Sequence, residues 1–88
     1  MKNLKALMES LRIAEENASK ADAAWDENPD SEELERAFDI AYEEEFKAFE
    51  ELAKAIDSVT AGKIDSITAR TMIRKKRREL EQLISRMA

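Results

Sequence analysis

Apolar residues recur through the first part of the chain in alternating steps of three and four: Leu4, Leu7, Leu11, Ala14, Ala18, Ala21 and Trp25. That period predicts an amphipathic helix whose stripe packs along another helix. The pattern runs from about Asn3 to Glu27 and stops at Asn28–Pro29–Asp30, since proline cannot continue a helix and restricts the residue before it. Asp30 is the expected N-cap of the next helix, with Glu33 three residues on as its capping-box partner and Pro29 and Leu34 as a hydrophobic staple.

A second helix is predicted over about 31–61. Its apolar face is wide. Ala37, Ala41, Ala48, Ala55 and Val59 form one flank, Tyr42, Phe46 and Ala53 the other, and Phe38, Phe49, Leu52 and Ile56 lie between. The arc exceeds the ~100° that one neighbour requires, so packing on two helices is expected. Gly62 is the only glycine and falls where a left-handed helix end is needed. Asp65 then caps a third predicted helix, about 66–86, with the stripe Ala69, Met72, Ile73, Leu80, Leu83, Ile84 and Met87.

Both connections are short, so consecutive helices run antiparallel. The expected fold is all-α: one domain over 1–88, a three-helix antiparallel up-down-up bundle with a long central helix. A homodimer with helix 3 swung onto a second chain is the alternative arrangement. Folding helices 1 and 2 about Asn28–Pro29–Asp30 sets Ala14, Ala18 and Ala21 opposite Phe38, Tyr42 and Phe46. The same fold sets Leu4, Leu7 and Leu11 opposite Ala48, Leu52 and Ala55, small against large at both ends.

Composition narrows the chemistry. Without Cys or His the chain has no thiol nucleophile, no thiolate metal site and no imidazole base. No apolar run approaches the ~20 residues of a membrane span, and no apolar stretch of signal-peptide type follows the N-terminal lysines. A cytoplasmic protein without cofactor or metal is the expectation. The methionines read as core filler. Glu43, Glu44 and Glu45 diverge around their helix and do not form a cage.

Two charges interrupt the apolar faces: Glu45 on helix 2 and Lys76 on helix 3, between Ile73 and Leu80. A charge inside a core needs a partner or a route to water. Folding helix 3 back about Gly62 brings Lys76 near Phe46 and Phe49, so the expectation is either an inter-helix ion pair Glu45–Lys76 or a Lys76 that snorkels to solvent with Glu45 at an edge of the core. Charge is also unevenly spread. Residues 62–88 hold eight Lys or Arg against three Asp or Glu, net +5; residues 1–61 hold seven against seventeen, net −10; together −5. Arg70, Arg74, Lys75, Arg77 and Arg78 form a candidate basic interaction face, suited to phosphate, to an acidic protein or to solvent alone. Ile13 and Ile67 point away from their stripes and are candidate dimer contacts. Trp25 is expected to plug the core end near Leu34.

Helical families that work without His or Cys do not account for the sequence. The E-E-x-x-E motif of all-helical magnesium-dependent nucleotide pyrophosphohydrolases is not met, since Arg36 follows Glu32–Glu33 and Ala48 follows Glu44–Glu45. Leu11–Arg12 lacks the further arginines of helical chorismate mutases. The Asn-Pro-Asp turn is similar to a tetratricopeptide loop, but one unit is present where about three are needed. In style the chain resembles short bacterial or prophage proteins. The expected function is a small non-enzymatic helical protein-interaction module, with self-association open to it. The alternative is a nucleic-acid-binding accessory protein using the basic face of helix 3.

Overall fold

The computed structural model describes residues 3–87, and every regular element in them is helical. There are four: α1 (Leu4–Glu27), α2 (Glu32–Val59), α3 (Ser66–Lys75) and α4 (Arg77–Met87). The expected third helix is therefore two helices, divided at Lys76.

α1 begins at Asn3, whose Oδ1 accepts the Ala6 N–H at 2.7 Å. It ends at Asn28, whose N–H donates to the Trp25 carbonyl. The α2 N-cap is Ser31, not Asp30: its Oγ accepts the Leu34 N–H at 3.2 Å. Glu32, Glu33 and Glu35 fill the first turn, where the helix dipole favours anions. Both Asp and Ser are good caps; the chain enters the helix one residue later than the capping-box spacing predicts.

The far end of α2 closes through side chains that the periodicity does not reveal. The Thr60 hydroxyl donates to the Ile56 carbonyl at 2.8 Å and accepts the Ile64 N–H at 3.1 Å. Asp57 Oδ2 accepts the Ser66 N–H at 3.0 Å, placing a carboxylate at the start of α3. The backbone turns through two left-handed residues, Ala61 (φ 53°) and Gly62 (φ 81°). Asp65 caps α3 as expected, accepting the Thr68 N–H at 2.7 Å.

α1 and α2 form a long antiparallel hairpin; α3 packs on α2, and α4 on α1 and α3. The core lies at one end, where Leu4, Leu7 and Leu11 meet Leu52, Ala53 and Ile56 of α2, Ala69 and Ile73 of α3, and Leu80 and Ile84 of α4. Each large side chain of that set contributes ~1.5–3 kcal/mol by leaving water. No polar or charged residue is buried among the described residues. Towards the Asn28–Pro29 turn only α1 and α2 remain, a two-helix arm. Near its tip the Trp25 ring lies 5.4 Å from Phe38, and the Trp25 Nε1–H donates to the Pro29 carbonyl at 3.3 Å. The molecule measures 47 × 22 × 19 Å with a radius of gyration of 14.9 Å, against ~12 Å for a compact chain of this length. Among the described residues no helix is long and apolar enough to cross a membrane.

Candidate functional site: an open aromatic cleft beside a basic elbow

The site follows from the break at Lys76. α3 covers the lower part of the wide α2 face and then stops. Lys76 adopts φ −130°, ψ 42°, closes α3 through its N–H to the Met72 carbonyl, and offers its own carbonyl to the Leu80 N–H. α4 then runs back along the N-terminal half of α1: Arg77 reaches Glu15, whereas Ile84 and Ser85 share a surface cleft with Lys5 and Met8. The stripe residues Leu80 and Ile84 thus pack at the base of the hairpin instead of on Tyr42 and Phe46.

One consequence corrects the expected close packing of the upper half, though not its register. The lower half holds: Leu4, Leu7 and Leu11 are buried with Leu52, and Ala48 and Ala55 pack against that cluster. In the upper half Ala14 and Ala18 are buried, but Tyr42 is 58% exposed and Phe46 56%. The neighbour that those rings need is absent once α3 ends.

What remains is a cleft of about 370 Å³, lined by Glu15 of α1, Tyr42, Glu45, Phe46 and Phe49 of α2, Ile73 and Arg74 of α3, and Arg77 of α4. Its floor is aromatic: Phe38 stacks on Tyr42 at 6.0 Å above it, and the Arg74 guanidinium sits 4.8 Å from the Phe49 ring centre below. Its wall is an ionic group of three. Arg77 donates from Nη1 and Nη2 to the two Glu15 oxygens at 2.8 and 2.7 Å, and from Nε to the Ile73 carbonyl at 3.0 Å. Glu45 stands beside the pair. Its pKa is pushed up, first by partial burial and then by the Glu15 charge, with Arg77 acting in the opposite direction. On the outer side of α3, Arg70 forks onto Glu50, with Nη2 2.6 Å from Oε2. Those hydrogen bonds hold the Glu50 carboxyl below its ordinary range.

The expected ion pair Glu45–Lys76 is not among the ion pairs of the described residues. Lys76 is exposed at the helix junction, and the cation that reaches Glu45's neighbourhood is Arg77, one residue on. The break explains the exchange: by ending α3 it turns Lys76 to solvent and aims Arg77, the first residue of α4, at α1. The candidate basic face is likewise divided. Arg70 and Arg77 are committed to Glu50 and Glu15, and Arg74 lies over Phe49. Lys75, Lys76 and Arg78 are exposed. Ile13 and Ile67 are exposed, at 47% and 71%.

Glu15 and Thr60 carry more of the architecture than their sequence positions suggest. Glu15 had one available signal: it sits beside the Ala14–Ala18 stripe, at the edge of the apolar face. Among the described residues no three carboxylates converge where a metal ion could sit. The cleft offers apolar ring surface at its centre, a cation at one edge and carboxylates at the other, features suited to an apolar ridge with charged flanks. No protein-family model matches the chain, and neither a curated protein nor a solved structure is significantly similar to it.

Proposed function

We propose that the chain is a small non-enzymatic helical protein-interaction module and that the open α2 cleft is its docking surface. The observation that carries this reading is the pair Tyr42 and Phe46, two large rings one turn apart and each more than half exposed. A chain of 88 residues has a thin core, and leaving two adjacent rings in water forgoes several kcal/mol of burial. Contiguous exposed aromatic surface rimmed by charge marks interaction sites on soluble proteins, and Tyr, Phe and Arg are enriched in them.

A photo-crosslinking side chain at position 46, with the same group at Lys20 as control, tests this in cells that express the protein. A polypeptide adduct formed from position 46 and not from position 20 is the expected result. Absence of any adduct at 46 contradicts the reading.

The second reading, a nucleic-acid-binding accessory protein, is favoured by the exposed cations Lys75, Lys76 and Arg78 at the elbow. It is weakened by the engagement of Arg70 and Arg77 with carboxylates, which leaves few charges for phosphate. Fluorescence anisotropy with labelled duplex DNA, single-stranded DNA and RNA distinguishes the two. Micromolar binding that falls steeply with salt favours the second reading; no binding at low salt removes it.

A further inference from the structure

We infer that the occupant of the cleft is a second copy of this chain. The two arms lie antiparallel about a twofold axis midway between tip and elbow, so that the acidic tip of each arm rests on the other copy's basic elbow and covers its Tyr42–Phe46 ridge. This rests on the interaction-module reading and adds the partner and its register.

Charge is the first support. Residues 21–35, the arm tip, hold seven carboxylates (Asp22, Asp26, Glu27, Asp30, Glu32, Glu33 and Glu35) and no Lys or Arg. Positions 74–78 are five consecutive cations, of which Lys75, Lys76 and Arg78 are exposed and stand apart from the Arg77–Glu15 pair and the Arg74–Phe49 contact. Within one molecule the far end of the tip is screened from the elbow. The elbow lies level with Glu15, and from there α1 continues to Glu27. Those 12 residues span roughly 18 Å at ~1.5 Å each, about twice the ~8 Å screening length at physiological ionic strength. A second copy reversed in direction brings tip to elbow at both ends at once, as an isologous twofold contact requires. A neutral amphipathic helix from another protein would fill the groove and leave both charge clusters unmatched.

Shape is the second support. α3 already shows how a helix sits on this α2 face, with Ile73 in the cleft and Arg70 forked onto Glu50. It stops at Lys76, so the uncovered stretch of α2 runs from Phe46 upward through Tyr42 to the tip. An identical arm has the matching length. A standard interface removes ~800 Å² from each partner, about an eighth of this chain's 6420 Å² surface.

Sedimentation analysis of the full-length chain tests the inference with charge reversals at exposed positions. One variant carries Asp26→Lys and Asp30→Lys; the other carries Lys75→Glu and Arg78→Glu. Circular dichroism checks that each is helical. The wild type is expected at twice its 10.1 kDa chain mass, dissociating as salt rises. Each variant alone is expected to be monomeric, and an equimolar mixture is expected to restore the dimer, because each reversed tip then meets a reversed elbow. A monomeric wild type at low salt, a dimer indifferent to both reversals, or a mixture that stays monomeric overturns the inference. A monomeric chain that still cross-links through position 46 to another protein fails this inference and leaves the module reading standing. No adduct of any kind removes both.

Discussion

Arg77 holds Glu15 through both terminal nitrogens while its Nε caps the Ile73 carbonyl. One side chain thereby joins α1, the end of α3 and the first residue of α4. The guanidinium is suited to this because its rigid fork satisfies a carboxylate in two places and leaves Nε for a third acceptor. An ammonium cannot reproduce that geometry. Arg77→Ala is expected to cost about 1–2 kcal/mol in urea unfolding, since the pair is one-third exposed and partly screened. Arg77→Lys should recover less than half of that loss. Full recovery with lysine would show that charge alone, without the fork, holds the elbow.

Leu52 and Phe46 lie six residues apart on α2 and should respond in opposite ways. Leu52 is fully buried in the four-helix core, so Leu52→Ala is expected to cost ~2–5 kcal/mol, a large share of the ~5–15 kcal/mol available to a small domain. Phe46 is mostly exposed, so Phe46→Ala should shift monomer stability by less than ~0.5 kcal/mol while abolishing self-association. Chemical denaturation at high dilution reads the first effect, and sedimentation of the same variants reads the second.

Ala61 and Gly62 offer a paired test of the α2–α3 turn. Both have positive φ, a conformation that costs an L-residue ~1–2 kcal/mol and glycine almost nothing. Gly62→Ala is expected to destabilise by about 1 kcal/mol. Space is not the cause, because an added Cβ would meet nothing closer than Asp57 Oδ1 at 4.0 Å. Ala61→Gly should be neutral or stabilise by up to ~1 kcal/mol, relief of strain outweighing the freer unfolded chain. Thermal unfolding of both variants reads the sign directly.

The Glu45 carboxyl binds its proton more tightly in the folded protein than in the unfolded chain, because partial burial and Glu15 disfavour its charge. Its contribution to stability is therefore present below the unfolded pKa and lost as pH rises through the folded one. Glu45→Gln removes that loss. The variant should be more stable than wild type at neutral pH, and the difference should vanish in acid, where Glu45 is protonated. Asp65 and Glu50 act in the other direction: hydrogen bonds lower both pKa values, so their contribution fades as pH falls. Urea titrations across the carboxylate range, with and without Glu45→Gln, distinguish these contributions.

Much of the fold is legible in the sequence because it is periodic. The α1 stripe, the break at Asn28–Pro29, the Asp65 cap and the turn around Gly62 all follow from spacing and from residues with restricted backbones. The division at Lys76 is not legible in that way. No proline or glycine marks it, and Ile73 and Leu80 are seven residues apart, which reads as one continuous stripe. Its signal is electrostatic: Arg74, Arg77 and Arg78 stand at the three- and four-residue spacings where like charges weaken a helix. Arg77's carboxylate lies on α1, 62 residues away in sequence, so no local pattern announces it. The cleft inherits that opacity, because Tyr42 and Phe46 look like core until the helix that should cover them ends.

The most direct measurement is an NMR NOE experiment on mixed isotope-labelled and unlabelled protein, reading the ring protons of Tyr42 and Phe46. Leu80 and Ile84 methyls should show intramolecular contacts to Leu4, Leu7 and Leu11 and none to those rings, which should show intermolecular contacts beside the intramolecular ones to Phe38 and the cleft lining. Intramolecular NOEs from Phe46 and Tyr42 to Leu80 and Ile84 would contradict this, because they would mean that the third helix runs unbroken through Lys76 and closes the cleft.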